Sequence, residues 1–273
     1  MNRIAAIAGS EFRIALRNRW VAIAVVLMAL FALVLAAAGS APTGQLGADK
    51  LSVTVASLTS LAIYLVPLMA LLMAFDAVAG EVERGTLPLV LTYPVSRPEI
   101  LAGKFAAHLA TLAIAVGAGY AIAAAAAMWM DPRAAEGIPA LARLFWTSLL
   151  LGATFLGLAY WISAAARRPG AAAGLAIGLW LVFIVLYDLG LLAGVVADGG
   201  GTFTTAVLPW MILFNPADAF RLYNLAASEA TAAAAGIAGA ANTIPPMHAL
   251  ASLLLWPLVA FFMATATFRR MTP

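Results

Sequence analysis

Long apolar runs alternate with short polar stretches that carry nearly all of the charge. Six runs stand out, at 20–39, 53–75, 105–130, 144–166, 171–196 and 249–268. A helix of about 20 apolar residues crosses the roughly 30 Å hydrocarbon core of a bilayer. Each run therefore predicts a transmembrane helix. A transmembrane β-barrel needs segments of alternating polarity, and these runs are continuous. The first run ends in Ala36-Ala37-Ala38, which resembles a signal cleavage site. At about 19 residues it exceeds the apolar core of a signal peptide and is read as a span.

Three segments between or before the spans carry pattern of their own. In residues 1–19, Ile4, Ile7, Ala8, Phe12, Ala15 and Leu16 recur at helical spacing, with Arg3, Arg13 and Arg17 elsewhere around the wheel. This predicts an amphipathic helix on the membrane surface; a plain positive flank is the alternative. Residues 76–104 are too long for a tight helix connection. They hold Asp76, Glu81, Glu83 and Glu99, are punctuated by Gly85 and Pro94, and include the short apolar stretch 86–91. A short helix presented to another protein fits. Residues 197–247 form a long loop whose apolar part, 206–214, is too short to cross and is read as interfacial or re-entrant. Asn215-Pro216 reads as a helix start, since Asn caps and Pro suits the first turn. Phe220, Leu222, Tyr223 and Leu225 of that helix are expected to face lipid or a partner. The Ala/Gly-rich stretch 226–241 is too weakly apolar to count as a seventh span. The expected fold is all-α and polytopic: six transmembrane helices behind an N-terminal interfacial helix, in a single domain over 1–273.

Composition and charge narrow the class. Hydrophobic residues make up 64% and charged residues 10%, against about half and a quarter in soluble domains. That excludes a water-soluble globule and a disordered chain. Eleven of the fifteen Lys and Arg fall on the side of the N-terminus, the 76–104 loop, Arg167-Arg168 and the C-terminus. By the positive-inside rule that side is cytoplasmic, with both termini inside. The net charge of +3 is thus a topology signal and no nucleic-acid footprint.

Candidate chemistry is sparse. There is no Cys, so thiolate metal sites, thiol nucleophiles and disulfides are excluded. Gly103-Lys104 is followed by Phe105, and Pro98 stands where a phosphate-cradling loop needs Gly. The chain therefore lacks that ATP-binding motif, and no catalytic residues are assigned. His108 and His248 fall on opposite membrane faces. Met128, Met130, Met211 and Met247 are copper ligands by type, but Met in a membrane helix usually packs, and no metal site is assigned. Asp188, inside the fifth span, is a possible gate; the alternative is an interfacial acid hydrogen-bonded to a neighbour. Pro67 and Pro257 are expected to kink their spans. Gly170, Gly174 and Gly178 form a stripe that admits another helix, within the subunit or from a second copy.

The run Gly80-Glu81-Val82-Glu83-Arg84-Gly85-Thr86-Leu87, followed by Tyr93-Pro94-Val95-Ser96-Arg97, resembles the inner loop of ABC-2 type permeases of ABC transporters. Residues 76–105 and 213–225 are further similar to the branch of that family serving nitrous oxide reductase maturation. The resemblance implies an ABC-2 permease fold in a bacterial inner membrane and a homodimer, with a separate cytoplasmic ATPase holding ATP and Mg. It also implies a periplasmic β-helical partner and a role in assembling the copper–sulfide centre of that reductase. Glu81, Glu83, Arg84, Thr86, Leu87 and Arg97 would couple to the ATPase; a local ion pair on a wet loop is the plainer reading of Glu81 and Arg84. Asn215, Asp218, Arg221 and Tyr223 would meet the periplasmic partner. A generic exporter of lipid, glycan or drug, and a scaffold that moves nothing, are the competing readings.

Overall fold

The computed structural model describes residues 3–15, single positions within 23–34, residues 50–226 apart from Tyr93, and 245–271. Helix α1, Arg3–Ala15, is the expected N-terminal helix. The first predicted span, 20–39, lies largely outside the described residues; Ile23, Val26, Leu30 and Val34 within it are helical. Then come α2 (Lys50–Ala74), two short helices α3 (Ala79–Glu83) and α4 (Leu87–Leu91), and α5 (Arg97–Met130). A 3₁₀ turn at Pro132–Gly137 leads into α6 (Ile138–Ala166). Helix α7 (Pro169–Asp198) turns back through α8 (Phe203–Phe214). Helices α9 (Pro216–Ala226) and α10 (Pro246–Arg270) complete the described chain. Among the described residues five helices, α2, α5, α6, α7 and α10, are long and apolar enough to cross a membrane. The stretch 226–241 falls, past its first residue, outside them.

Helix ends follow the sequence. Ser96 donates both its backbone N–H (2.8 Å) and its hydroxyl (2.7 Å) to Glu99 Oε2, and Pro98 sits in the first turn, so α5 starts eight residues before the apolar run it contains. Asp131 Oδ1 accepts the Arg133 N–H at 2.9 Å and opens the 3₁₀ turn. Helix α6 stops at Arg167, whose φ of 57° is left-handed, and Pro169 begins α7. Gly85, at φ 65°, makes the turn between α3 and α4, which a residue with a Cβ adopts only with strain.

Helix α6 is the centre of the bundle and packs on α2, α5 and α10. Gly157 lets α10 come close: a Cβ there would meet Ala260 Cβ at 2.8 Å. Phe155, Leu156 and Tyr160 of α6 are fully buried. Helix α7 is the opposite case, with Leu175, Ile177, Leu181, Leu186 and Leu192 exposed along it. Among the described residues, Gly170, Gly174 and Gly178 meet nothing that an added Cβ would touch, so the stripe is open there.

At 1.5 Å per residue the 34 residues of α5 reach about 51 Å and the 30 of α7 about 45 Å. Both exceed a bilayer core, so they carry structure beyond it. Helix α8 descends from the end of α7 alongside it and ends at Asn215, which bonds Phe183 midway along α7. The 206–214 stretch thus folds back along α7. Helix α9 then packs on α10, α6 and α2. Phe220 and Leu225 are buried in this packing, which corrects the expectation that they face lipid or a partner. Their apolar face is consumed by the bundle that α8 folds back onto.

Candidate functional site

The inner loop is built of α3 and α4 and tied to four other elements. The Ser163 hydroxyl of α6 accepts the backbone N–H groups of Val78 and Ala79, each at 3.0 Å, which satisfies donors at the start of α3. Lys104 of α5 reaches Glu81 of α3 at 2.7 Å and Glu11 of α1 at 2.6 Å. Arg3 of α1 donates to Pro94 O at 2.6 Å. Arg97 caps the end of α10, donating from Nη1 to Phe268 O (2.9 Å), Arg269 O (3.1 Å) and Met271 O (2.5 Å). Cationic donors on terminal carbonyls complement the helix dipole.

Two cavities of about 490 and 460 Å³ flank this ion triad and share Glu11, Glu81 and Lys104 in their walls. The second also takes in Asp76, Arg84 and His108. His108 Nδ1 and Tyr160 OH hydrogen-bond at 2.5 Å beneath it. Lys104 is only 5% exposed, and the two carboxylates offset the hydration its charge has lost.

The six residues expected to couple to an ATPase separate into two sets. Glu81 and Arg97 are engaged within the subunit, and Leu87 is buried under the loop. Thr86 closes the turn on Glu81 O through its N–H at 2.9 Å. Glu83 and Arg84 are exposed. Leu89, which the sequence did not single out, is 64% exposed and is the apolar side chain the loop presents outward. Glu11, Lys104, Ser163 and Arg3 were missed as well. The signal for Lys104 was available: a cation directly before an apolar run invites the question of its partner.

The outer site is the hairpin of α8 and α9 against α7. Asn215 Oδ1 accepts the Ala217 N–H at 2.9 Å, and its Nδ2 donates to Phe183 O at 2.7 Å. Tyr187 OH donates to Met211 O at 2.7 Å. Arg221 joins two acids, Asp218 at 2.7 Å and Asp188 at 3.4 Å. Asp188 thus has a cation supplied by the hairpin, which agrees with the reading of it as an acid bonded to a neighbour. Asp218 Oδ2 is buried without a hydrogen bond. Burial pushes the Asp218 carboxyl up to about 7, with Arg221 pulling it down and Asp188 pushing it further up. Asn224 and Thr147 of α6 bond at 3.0 Å. Of the four residues expected to meet a periplasmic partner, Asn215 and Asp218 are buried in the subunit, while Arg221 and Tyr223 are part-exposed. No group of three or more metal-ligating residues exists among the described residues.

The family model for ABC-2 family transporter proteins matches residues 5–272. The chain is 43% identical over 279 residues to a probable ABC transporter permease protein NosY of Stutzerimonas stutzeri, covering 99% of each chain. It is 44% identical over 268 residues to the protein so named in Pseudomonas aeruginosa, covering 97% of each. An ABC permease works with an ATPase and as part of a dimer, which is consistent with a chain that lacks a nucleotide-binding loop. A polytopic bundle, an inner loop tied to four elements and a match across nearly the whole length agree: the chain belongs to the ABC-2 family of transporters, as a permease subunit.

Proposed function

We propose that this chain is the membrane subunit of an inner-membrane ABC transporter that serves assembly of the copper–sulfide centre of nitrous oxide reductase. Near-complete similarity to permeases named NosY supports that assignment. The observation that carries the mechanism is the set of ties on α3 and α4. A loop fixed by Ser163, Lys104 and Arg3 cannot move without moving α6, α5 and α1, and Arg97 at the start of α5 passes that movement to α10. Its exposed face, Glu83, Arg84 and Leu89, is where a separate ATPase docks: charge for register, Leu89 for the apolar anchor. ATP binding that favours one loop position shifts the whole subunit by its difference in affinity between the two states.

The movement arrives outside at the α8–α9 hairpin, where Arg221 and Tyr223 meet a periplasmic β-helical partner. Both termini and the loop are cytoplasmic, and the open face of α7 with its glycine stripe is the seam with a second copy. The subunit transmits force and does not itself hold ATP or copper.

A strain lacking this chain tests the proposal. Nitrous oxide reductase purified from it is expected in normal amount but without its copper–sulfide centre and without activity. A fully active enzyme would overturn the assignment and leave a generic exporter. Flux of a sulfur compound in vesicles carrying the assembled transporter would overturn pure force transmission.

A further inference from the structure

Helix α7 is not α-helical throughout. Leu181–Leu186 forms a π-helical turn, in which the Tyr187 N–H bonds Val182 O, five residues back. In the α register that N–H would bond Phe183 O, four residues back. Phe183 O instead accepts Asn215 Nδ2 from the outer hairpin, at 2.7 Å. Two donors therefore compete for one carbonyl, and the winner comes from outside the helix.

Nothing inside the turn asks for a break. Leu181-Val182-Phe183-Ile184-Val185-Leu186 has no Gly, Pro, Ser or Thr, the residues that usually disturb a helix. The two residues that follow are also held by the hairpin, Tyr187 through its hydroxyl on Met211 O and Asp188 through Arg221. Below the turn, Ala172 of α7 shares a small buried cluster with Ile162 and with Ala79, the first residue of α3 in the inner loop.

We infer that the outer hairpin holds α7 in the π register, and that its withdrawal returns the Tyr187 N–H to Phe183 O and turns the inner half of α7 against the outer half. The turn is at most about one residue's angle, ~100°. Ala172 then moves on Ala79. This makes the π turn a two-state element that both faces of the membrane bias, which is what a coupling path requires. Reciprocity follows: loop movement that displaces Ala172 changes the hairpin's hold on Phe183. The inference extends the force-transmission reading, but its test needs neither ATPase nor periplasmic partner, so it stands or fails separately.

The absence of native Cys makes the test clean. Cysteines are placed at Ala79 and Ala172 in the full-length chain, and the rate of disulfide formation in native membranes is measured. N215D keeps the acceptor for the Ala217 N–H but removes the donor to Phe183 O. It is expected to slow cross-linking by up to about fivefold, the effect of one net hydrogen bond on the equilibrium, with an unchanged size-exclusion profile. An unchanged rate overturns the inference. Should N215D not accumulate, Y187F is read in the same way: slower cross-linking supports the π-turn switch and an unchanged rate removes it.

Discussion

Lys104 Nζ lies 2.6 Å from Glu11 Oε1, joining a helix at the start of the chain to one 93 residues on. With Glu81 at 2.7 Å, the same ammonium holds the inner loop. Removing one partner of a buried ion set leaves an uncompensated charge and costs roughly 3–5 kcal/mol. K104M is expected to lower the melting temperature of the purified subunit sharply. The triple variant E11Q/K104M/E81Q, in which no charge is left over, is expected to recover most of the loss. Equal destabilisation of both would show that the charges are not the cause.

Leu87 and Leu89 are two residues apart and face opposite ways. Leu87 is buried, and L87A is expected to cost roughly 2–5 kcal/mol by opening a cavity. Leu89 is exposed, and L89E is expected to leave the melting point within about the ±0.5 kcal/mol of a surface change. Its effect falls on recovery of the ATPase in pull-down from membranes, which is expected to drop severalfold. R84A is expected to weaken recovery less. Full recovery with L89E would remove the loop's outer face as the dock.

The fold is legible in the sequence because its units are long: five of the expected spans fall on helices, three of them to within three residues at both ends, while α5 and α6 start eight and six residues early, and Asn215-Pro216 does open a helix. Recognition of the family rests on the loop at 80–97, which is contiguous. The site is less legible. A five-residue helix has too few turns for periodicity to say which of Leu87 and Leu89 faces inward. The neighbour that pairs Asp188 could not be named because Arg221 is 33 residues on and reaches it only after α8 has folded back. The apolar side chains of α9 read as lipid-facing for the same reason: no local pattern reports that a folded-back hairpin exists to receive them.

Asp218 gives the hairpin a pH dependence. Its carboxyl stands at about 7 in the folded subunit, above its ordinary value of 3.8. The folded state therefore binds the proton more tightly than the unfolded one, and this contribution is complete below about pH 4 and lost as pH rises through 7. Thermal unfolding in detergent is expected to occur at a lower temperature at pH 8 than at pH 5.5. In D218N that difference is expected to shrink. A parent protein with no such difference would show that Arg221 holds Asp218 ionised throughout.

Gly157 sets the spacing between α6 and α10. In G157A the new Cβ would lie 3.0 Å from the Ala260 carbonyl carbon and from Phe261 N, atoms that cannot swing aside. A loss of about 1–3 kcal/mol is expected from overpacking, read as a lower melting temperature. G9A in α1, where a Cβ meets nothing among the described residues, serves as the control.

The Asp188–Arg221 pair has a bearing on the lipid itself. Asp188 is nineteen residues beyond Pro169, about 29 Å along α7. That is close to the thickness of a bilayer core, with Arg167 and Arg168 at the other end of the same length. The helix is thus ruled off by charge at both boundaries. A thicker bilayer draws Asp188 and Arg221 into hydrocarbon and favours an upright α7; a thinner one lets the helix tilt until the two marks meet the headgroups again. The resting angle of α7, and with it the fit of Ala172 on the inner loop, is therefore set partly by acyl-chain length.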